Sequence, residues 1–173
     1  MVRGLQALST PYAFDGYRPG ALAGVVGLHM AHFSDALDFD LAFETRVALE
    51  LAEFLRRMEP GRDLFLTAWD QGGKIAGSVT VDVTGGGPQG AHLRWFVVSA
   101  DARGGGLGSE LLARAMAFCE RLQVPQVRLT TFAGLEAASG LYETHGFRLA
   151  SENARDQWPG SVREQIFIRA RAG

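Results

Sequence analysis

Residues Arg103-Gly104-Gly105-Gly106-Leu107-Gly108 separate an apolar run that ends at Val98 from an amphipathic stretch. This order predicts a glycine turn at the start of a helix. Glycine adopts positive φ without a Cβ clash, and the first N–H groups of a helix have no intrahelical partner. These donors and the positive end of the helix dipole favour a phosphate or pyrophosphate. We therefore expect this hexapeptide to bind the phosphates of a ligand.

The spacing of the glycines excludes two common nucleotide-binding loops. A Walker loop requires Gly-Lys before Ser or Thr, but Gly108 is followed directly by Ser109 and no lysine is near. A Rossmann fingerprint that begins at Gly104 requires Gly or Ala where Ser109 stands. The remaining pattern, Arg103-x-x-Gly106-x-Gly108, resembles the pyrophosphate loop of the GNAT superfamily of acyl-CoA-dependent N-acyltransferases. In isolation it is also compatible with a glycine-rich linker or a plain helix N-terminus.

A second segment strengthens this resemblance. Residues 135–147 read Leu-Glu-Ala-Ala-Ser-Gly-Leu-Tyr-Glu-Thr-His-Gly-Phe and resemble the late GNAT helix, which ends in Leu-Tyr-x-x-x-Gly-Phe. The similarity extends from about Leu64 to Ile168. Three shorter segments look like the GNAT domains that follow a MarR-type winged-helix regulator: Leu93–Phe96, Thr130–Phe132 and Trp158–Gln165. Because only about a dozen residues precede the first candidate strand, we expect no DNA-binding half.

Length and composition are typical of one globular enzyme domain. The chain has 173 residues, of which 47% are hydrophobic and 21% charged, so we expect a single domain over residues 1–173. A net charge of −2 gives no broad attraction to nucleic acid or to an acidic membrane. No apolar run approaches membrane-spanning length, and Cys119 is the only cysteine. We expect a cytoplasmic protein without nucleic-acid, membrane or metal partners, with Cys119 in the core.

Hydrophobic periodicity and turn residues predict the order of the elements. The predicted helices are Pro19 to about Phe33, Leu41–Arg57, Gly106–Leu122 and the motif helix after Leu135, and the predicted strands are Tyr12–Tyr17, Leu64–Trp69, Ile75–Val83, Ala91–Val98, Gln126–Thr131, Phe147–Ser151 and Val162–Arg169. This order predicts a mixed, twisted sheet flanked by helices. The resemblance implies an α/β (α+β) fold with a mostly antiparallel sheet of six to seven strands and about four helices. The resemblance implies the GNAT fold, in which the fourth strand bulges and splays from the fifth.

The resemblance further implies acetyl-CoA as the co-substrate. Its pantetheine arm would lie in the gap between the fourth and fifth strands, and its pyrophosphate would bind the glycine loop. Leu135 departs from the asparagine that many relatives carry there, which removes one polar contact. The expected cofactor-binding residues are Phe96, Val97, Val98, Arg103, Gly104, Gly105, Gly106, Leu107, Gly108, Ser109, Ala138 and Tyr142.

Two residues are candidates for catalysis. An alkyl amine is mostly protonated at neutral pH, so attack on a thioester requires loss of a proton. His92 lies where the resemblance places a catalytic glutamate, and imidazole can act as a base directly or through water. It can equally be an exposed strand-edge residue. Tyr142 occupies the position where many GNAT members place the tyrosine that donates to the departing sulfur, although its ring can instead pack against the cofactor.

The acceptor side offers three candidate substrate-binding residues. Strict alternation along the fourth strand places His92, Arg94 and Phe96 on one face. Arg94 is predicted to bind a substrate carboxylate, or instead to pair with an acidic residue of the early helices, of which Glu44 is the first candidate. His29 and Glu44 bound a region rich in histidine and acidic residues, where GNAT members place specificity elements. The same region is also compatible with a solvated surface.

Together these patterns predict an N-acetyltransferase that transfers an acetyl group from acetyl-CoA to a primary amine of a small molecule or peptide by direct attack. The alternative is an acyl-CoA-binding sensor or interaction protein on the same scaffold, with little turnover. Trp158 is expected to pack, to cover the acceptor site or to join a homodimer interface.

Overall fold

A computed structural model describes residues 11–154 and 162–173, which form one seven-stranded sheet flanked by helices. The strand order is β1-β2-β3-β4-β5-β7-β6, and every neighbouring pair is antiparallel except β4 and β5. The strands are β1 Ala13–Asp15, β2 Leu64–Trp69, β3 Ile75–Asp82, β4 Ala91–Val98, β5 Gln126–Phe132, β6 Arg148–Ala154 and β7 Arg163–Ala170, and the α-helices are α1 Ala21–Leu37, α2 Leu41–Arg57, α3 Leu107–Arg121 and α4 Glu136–Thr144. The predicted mixed sheet with four helices is confirmed.

Most boundaries agree with the prediction, and α1 shows why one differs. This helix continues to Leu37, beyond the predicted end at Phe33. It stops at Asp38, which takes a left-handed φ of 56° and donates its N–H to the Ser34 carbonyl. The next helix begins after Asp40, whose side chain accepts the Ala42 N–H at 3.1 Å. The two acidic residues therefore separate the paired helices α1 and α2.

A bulge interrupts β4 at its centre, as the resemblance implies. Ser78 of β3 pairs with Val97, but Thr80 pairs with Arg94, so β4 contains one extra residue between these two pairs. Within this stretch Trp95 has a φ of +47°, which is unusual for a bulky residue.

The extra residue changes which side of the sheet each β4 side chain faces. Leu93 and Phe96 both pack with the core around α3 and α4, whereas Trp95 packs with the core under α1 and α2. Arg94 also reaches α2. The prediction that Phe96 shares a face with His92 and Arg94 is therefore wrong, because a bulge shifts the two-residue alternation by one position.

From the bulge onward, β4 and β5 are no longer paired. Their parallel pairing joins Ala91–Leu93 to Val127–Leu129 and then stops, although both strands continue. β5 remains fully paired with β7 on its other side. The predicted splay is confirmed, and it opens a gap between two strands in the middle of the sheet.

The helices cover the two faces of the sheet and enclose separate cores. One core lies around α3 and α4, and the other lies under α1 and α2. Cys119 is buried in the first, and its burial raises the pKa of the thiol to about 11, which confirms its predicted core position. None of the helices in the described residues is long and apolar enough to span a membrane.

Candidate active site

A cavity of about 440 Å³ occupies the gap between the diverging strands, and we call it the splay cavity. Its walls come from the end of β4, the glycine loop, the start of α3 and one side of α4. Of the predicted cofactor-binding residues, all but Gly105 line it: Phe96, Val97, Val98, Arg103, Gly104, Gly106, Leu107, Gly108, Ser109, Ala138 and Tyr142.

The glycine loop gives the splay cavity unpaired main-chain donors. Gly104 and Gly106 have φ values of +80° and +87°, which glycine adopts without strain. No side chain caps α3, and helix geometry leaves the N–H groups of residues 107–109 without an intrahelical acceptor. A Cβ on Gly108 would lie 3.2 Å from the Leu141 Cδ2 atom, so this position also requires a small residue. The arrangement suits a diphosphate.

Arg103 connects this loop to the rest of the site. Its Nε donates to the Val98 carbonyl at 3.3 Å, and its terminal nitrogen lies 2.9 Å from the Nδ1 atom of His32 on α1. Burial and the neighbouring guanidinium charge both lower the pKa of His32. A neutral His32 can accept the hydrogen bond from Arg103.

A second cavity, of about 230 Å³, lies between the sheet and helices α1 and α2, and we call it the helix cavity. One part is aromatic: the rings of Phe33, Phe43 and Phe132 lie 5.3 to 6.4 Å apart. Another part is charged and includes Glu50 and Arg94. Four residues line both cavities, namely Phe33, Phe96, Thr131 and Tyr142.

Tyr142 lies at the junction of the two cavities. It is buried, with 6% of its surface exposed, and its ring centroid is 5.9 Å from that of Phe96. Its side chain is hydrogen-bonded to Thr131, and burial raises the pKa of the phenol. The hydroxyl therefore remains protonated at neutral pH and can donate a proton or a hydrogen bond into either cavity.

His92 lies within the sheet rather than at an exposed edge. Its partners in register are Asp82 on β3 and Arg128 on β5, and its side chain lines the helix cavity. Burial and the charges of Arg128 and Arg94 lower the pKa of His92 to about 3. The ring is neutral at physiological pH and is a weak base, because an effective general base has a pKa near the working pH.

Arg94 forms an ion pair with Glu50, so the predicted partner Glu44 is wrong. Glu50 is one helical turn from Val47 and Phe54 on the buried stripe of α2, whereas Glu44 is exposed in the first turn and does not line the helix cavity. The other carboxylate oxygen of Glu50 accepts the Arg46 Nε at 3.0 Å.

His29 is buried and lines the helix cavity. Its Nδ1 lies 2.8 Å from the Val25 carbonyl oxygen and donates to it, which leaves Nε2 as the acceptor of the neutral ring. Burial lowers the pKa of His29 to about 4. A neutral histidine in this position can accept a hydrogen bond, but it attracts no anion.

Sequence reasoning missed Arg46, Glu50 and the aromatic wall. The four-residue spacing of Arg46 and Glu50 beside the apolar stripe of α2 was the available signal. The predicted role of Trp158 lies outside the described residues. Within 11–154 and 162–173, no group of histidine, cysteine and acidic residues could hold a metal ion.

Comparisons with known proteins agree with this architecture. The model of the Acetyltransferase (GNAT) family matches residues 32–147, a stretch that contains both the glycine loop and Tyr142. An uncharacterized N-acetyltransferase of Schizosaccharomyces pombe is 32% identical over 123 residues, which cover 71% of this chain and 74% of the relative.

Two solved structures show the same fold. A GCN5-related N-acetyltransferase from Kribbella flavida superposes with a TM-score of 0.71 at 19% identity, over 93% of this chain and 98% of that one. The ribosomal-protein-S18-alanine N-acetyltransferase from Escherichia coli superposes with a TM-score of 0.67 at 23% identity, over 94% and 96% of the two chains.

Proposed function

Because the chain belongs to the GNAT acetyltransferase family, we propose that it transfers the acetyl group of acetyl-CoA directly to a primary amine of a small molecule or peptide. The observation that carries this proposal is the pair of adjoining cavities that share Tyr142. One cavity suits a diphosphate and an extended arm, and the other presents polar side chains to an acceptor.

The splay cavity fits coenzyme A in two respects. Main-chain N–H groups at the start of α3 can bind the diphosphate. Between Phe96 and Val98, the edge of β4 that faces β5 has no partner strand, because pairing ends at Leu93. An extended chain with amide groups can hydrogen-bond to such an edge as a neighbouring strand does.

The reaction forms one C–N bond, breaks one C–S bond and moves protons away from the amine and onto the sulfur. The neutral amine nitrogen bonds to the thioester carbonyl carbon, the C–S bond breaks, and the amine gives up a proton. We propose that the Tyr142 hydroxyl donates to the departing sulfur. Its phenol is protonated at neutral pH, and a thiolate accepts a proton at pH values below about 8.5. The sulfur leaves as the thiol with a proton from Tyr142, and solvent, which receives the proton of the amine, returns one to the phenol.

His92 has a smaller role in this proposal than a full general base. With a pKa near 3 it does not hold a proton at neutral pH. We assign it a hydrogen bond from the incoming amine or from a water molecule, and the proton of the amine passes to solvent. The value of kcat/KM should then rise with pH toward the pKa of the amine, without a limb near pH 6.5. A limb near 6.5 that His92→Gln removes would make His92 the base.

The low basicity of His92 also favours the second candidate, an acyl-CoA-binding sensor with little turnover. Thiol release from acetyl-CoA over a panel of amines, measured beside thermal stabilisation, separates the two. If the protein transfers acetyl groups, CoA should stabilise it and thiol should be released in the presence of at least one amine. Stabilisation without turnover on any amine would favour the sensor, and no stabilisation at all would contradict both.

A further inference from the structure

One wall of the helix cavity holds two arginines that contact the same carboxylate. Glu50 accepts Arg46 through one carboxylate oxygen and Arg94 through the other, so two guanidinium groups share a single carboxylate. The Arg94 side chain is only 23% exposed. A partly buried guanidinium that shares its ion-pair carboxylate with a second arginine gains stability from a further anion.

The surroundings hold Arg94 in a fixed position. Its guanidinium carbon lies 4.1 Å from the ring centroid of Trp95, the residue at the bulge. The ion pair with Glu50 fixes the other side. A guanidinium has five N–H donors in a planar fork, so one bond to Glu50 leaves donors for a second carboxylate. Arg94 is therefore arranged in advance for an anion in the cavity.

The remaining walls indicate what else the ligand carries. Phe33, Phe43 and Phe132 form an apolar surface. Glu164 on β7 pairs in register with Phe132 and also lines the cavity, so the lining includes a second carboxylate besides Glu50. The volume of about 230 Å³ equals that of about eight water molecules, which suits a small molecule.

We infer that the acceptor is a small amino acid with an apolar side chain, whose carboxylate binds Arg94 and whose apolar part packs against Phe33, Phe43 and Phe132. Its amine then lies toward Tyr142, where the two cavities meet. This inference names the substrate class of the proposed acetyl transfer and rests on that function.

Binding to the CoA-loaded protein tests the inference without requiring turnover. L-leucine, L-methionine and L-phenylalanine are each compared with the corresponding amide by calorimetry. The amide keeps the amine and the side chain but has no negative charge. At least one acid should bind ten or more times more tightly than its amide. Equal or weaker binding of all three acids would overturn the inference.

Two variants are expected to change this preference in opposite directions. Arg94→Lys should reduce the ratio of acid to amide affinity about tenfold, because lysine does not form the planar fork. Glu50→Gln should increase the ratio, because it removes the competing carboxylate. Arg114→Lys is the matched control, since Arg114 forms an equivalent pair with Glu110 on α3, outside both cavities, and should not alter the ratio.

The outcomes separate this inference from the proposed function. If Glu50→Gln weakens acid and amide equally, the cavity selects cations and the inference is wrong. If amides and unsubstituted amines are acetylated as well as the acids, acetyl transfer stands and the substrate class does not. If acids are preferred in binding but no thiol is released, the binding assignment stands and acetyl transfer does not.

Discussion

The splay cavity and the helix cavity meet at Tyr142 but are built from different parts of the chain. The first relies on main-chain groups, glycines and small apolar side chains, whereas the second relies on paired charges and aromatic rings. A main-chain site is determined by local backbone geometry. A side-chain site is determined by which helix packs against which strand. The difference predicts that changes to the two cavities affect different steps.

The largest effect is expected at the shared residue. Tyr142→Phe should lower kcat about 100-fold, since a general acid contributes at least this much, while the CoA dissociation constant stays within about threefold. The ring contact with Phe96 is preserved in the variant. Steady-state kinetics and calorimetry measure the two quantities. Tyr12→Phe, at a tyrosine that lines neither cavity, is the control; wild-type turnover of Tyr142→Phe would assign the residue to packing alone.

The buried histidine of the helix cavity should make the free energy of unfolding depend on pH. His29 has a pKa of about 4 in the fold, and near 6.5 when unfolded. Between these values the unfolded chain binds a proton that the native protein does not. Through His29 alone the free energy of unfolding should therefore fall as pH decreases from about 6.5 to about 4, by up to about 1.4 kcal/mol per pH unit, or tenfold in the unfolding equilibrium, and His92, with a pKa of about 3, adds to this slope.

Urea unfolding at several pH values measures this slope. His29→Gln should reduce the slope by the share of His29 and leave that of His92, and His145→Gln, at a half-exposed histidine beside α3, should change it much less. An unchanged slope in His29→Gln would place the acid sensitivity elsewhere.

The splay cavity should respond to backbone strain rather than to lost side chains. In Gly106→Ala the added methyl group has no atom within 4 Å, so it causes no clash. The backbone at this position has a φ of +87°, however, which alanine adopts only with strain. The left-handed conformation costs other residues about 1 to 2 kcal/mol, so CoA should bind about tenfold more weakly. Gly27→Ala also meets no atom within 4 Å, but it lies in α1 without positive φ and should leave CoA affinity intact. Equal CoA affinity in both variants would contradict the importance of this loop geometry.

The smallest effect is expected at the side-chain link between the two regions. His32→Ala removes the hydrogen bond from α1 to Arg103. Exposed polar pairs contribute about 0.2 to 1 kcal/mol, so the CoA dissociation constant should rise no more than about fivefold. Calorimetry measures this dissociation constant, with Gly27→Ala as the control. A loss of tenfold or more would mean that the glycine loop depends on α1, and the distinction between the cavities would weaken.

The two regions also differed in how far the sequence predicted them. The glycine loop, the start of α3 and the position of Tyr142 followed from local spacing, because turns and helix starts depend on nearby residues. The pairing of Arg94 with Glu50 depends on how α2 packs across β4, a contact over 44 residues that local patterns do not encode. The face of Phe96 is predicted wrongly because the continuous apolar run Trp95–Val98 fits either side of the sheet, and the bulge at Trp95 decides which side it takes.

The single extra residue at the β4 bulge divides this strand into two segments and shifts the alternation of side chains between them. Arg94, before Trp95, lines only the helix cavity, and Val98, after it, lines only the splay cavity, so under the proposed function the acceptor preference could be redesigned at Arg94 while the contacts at Val98 stay untouched. Without this residue, the side chains of the second segment would face the opposite side of the sheet. The bulge thus lies between residues of one strand that contribute to different cavities.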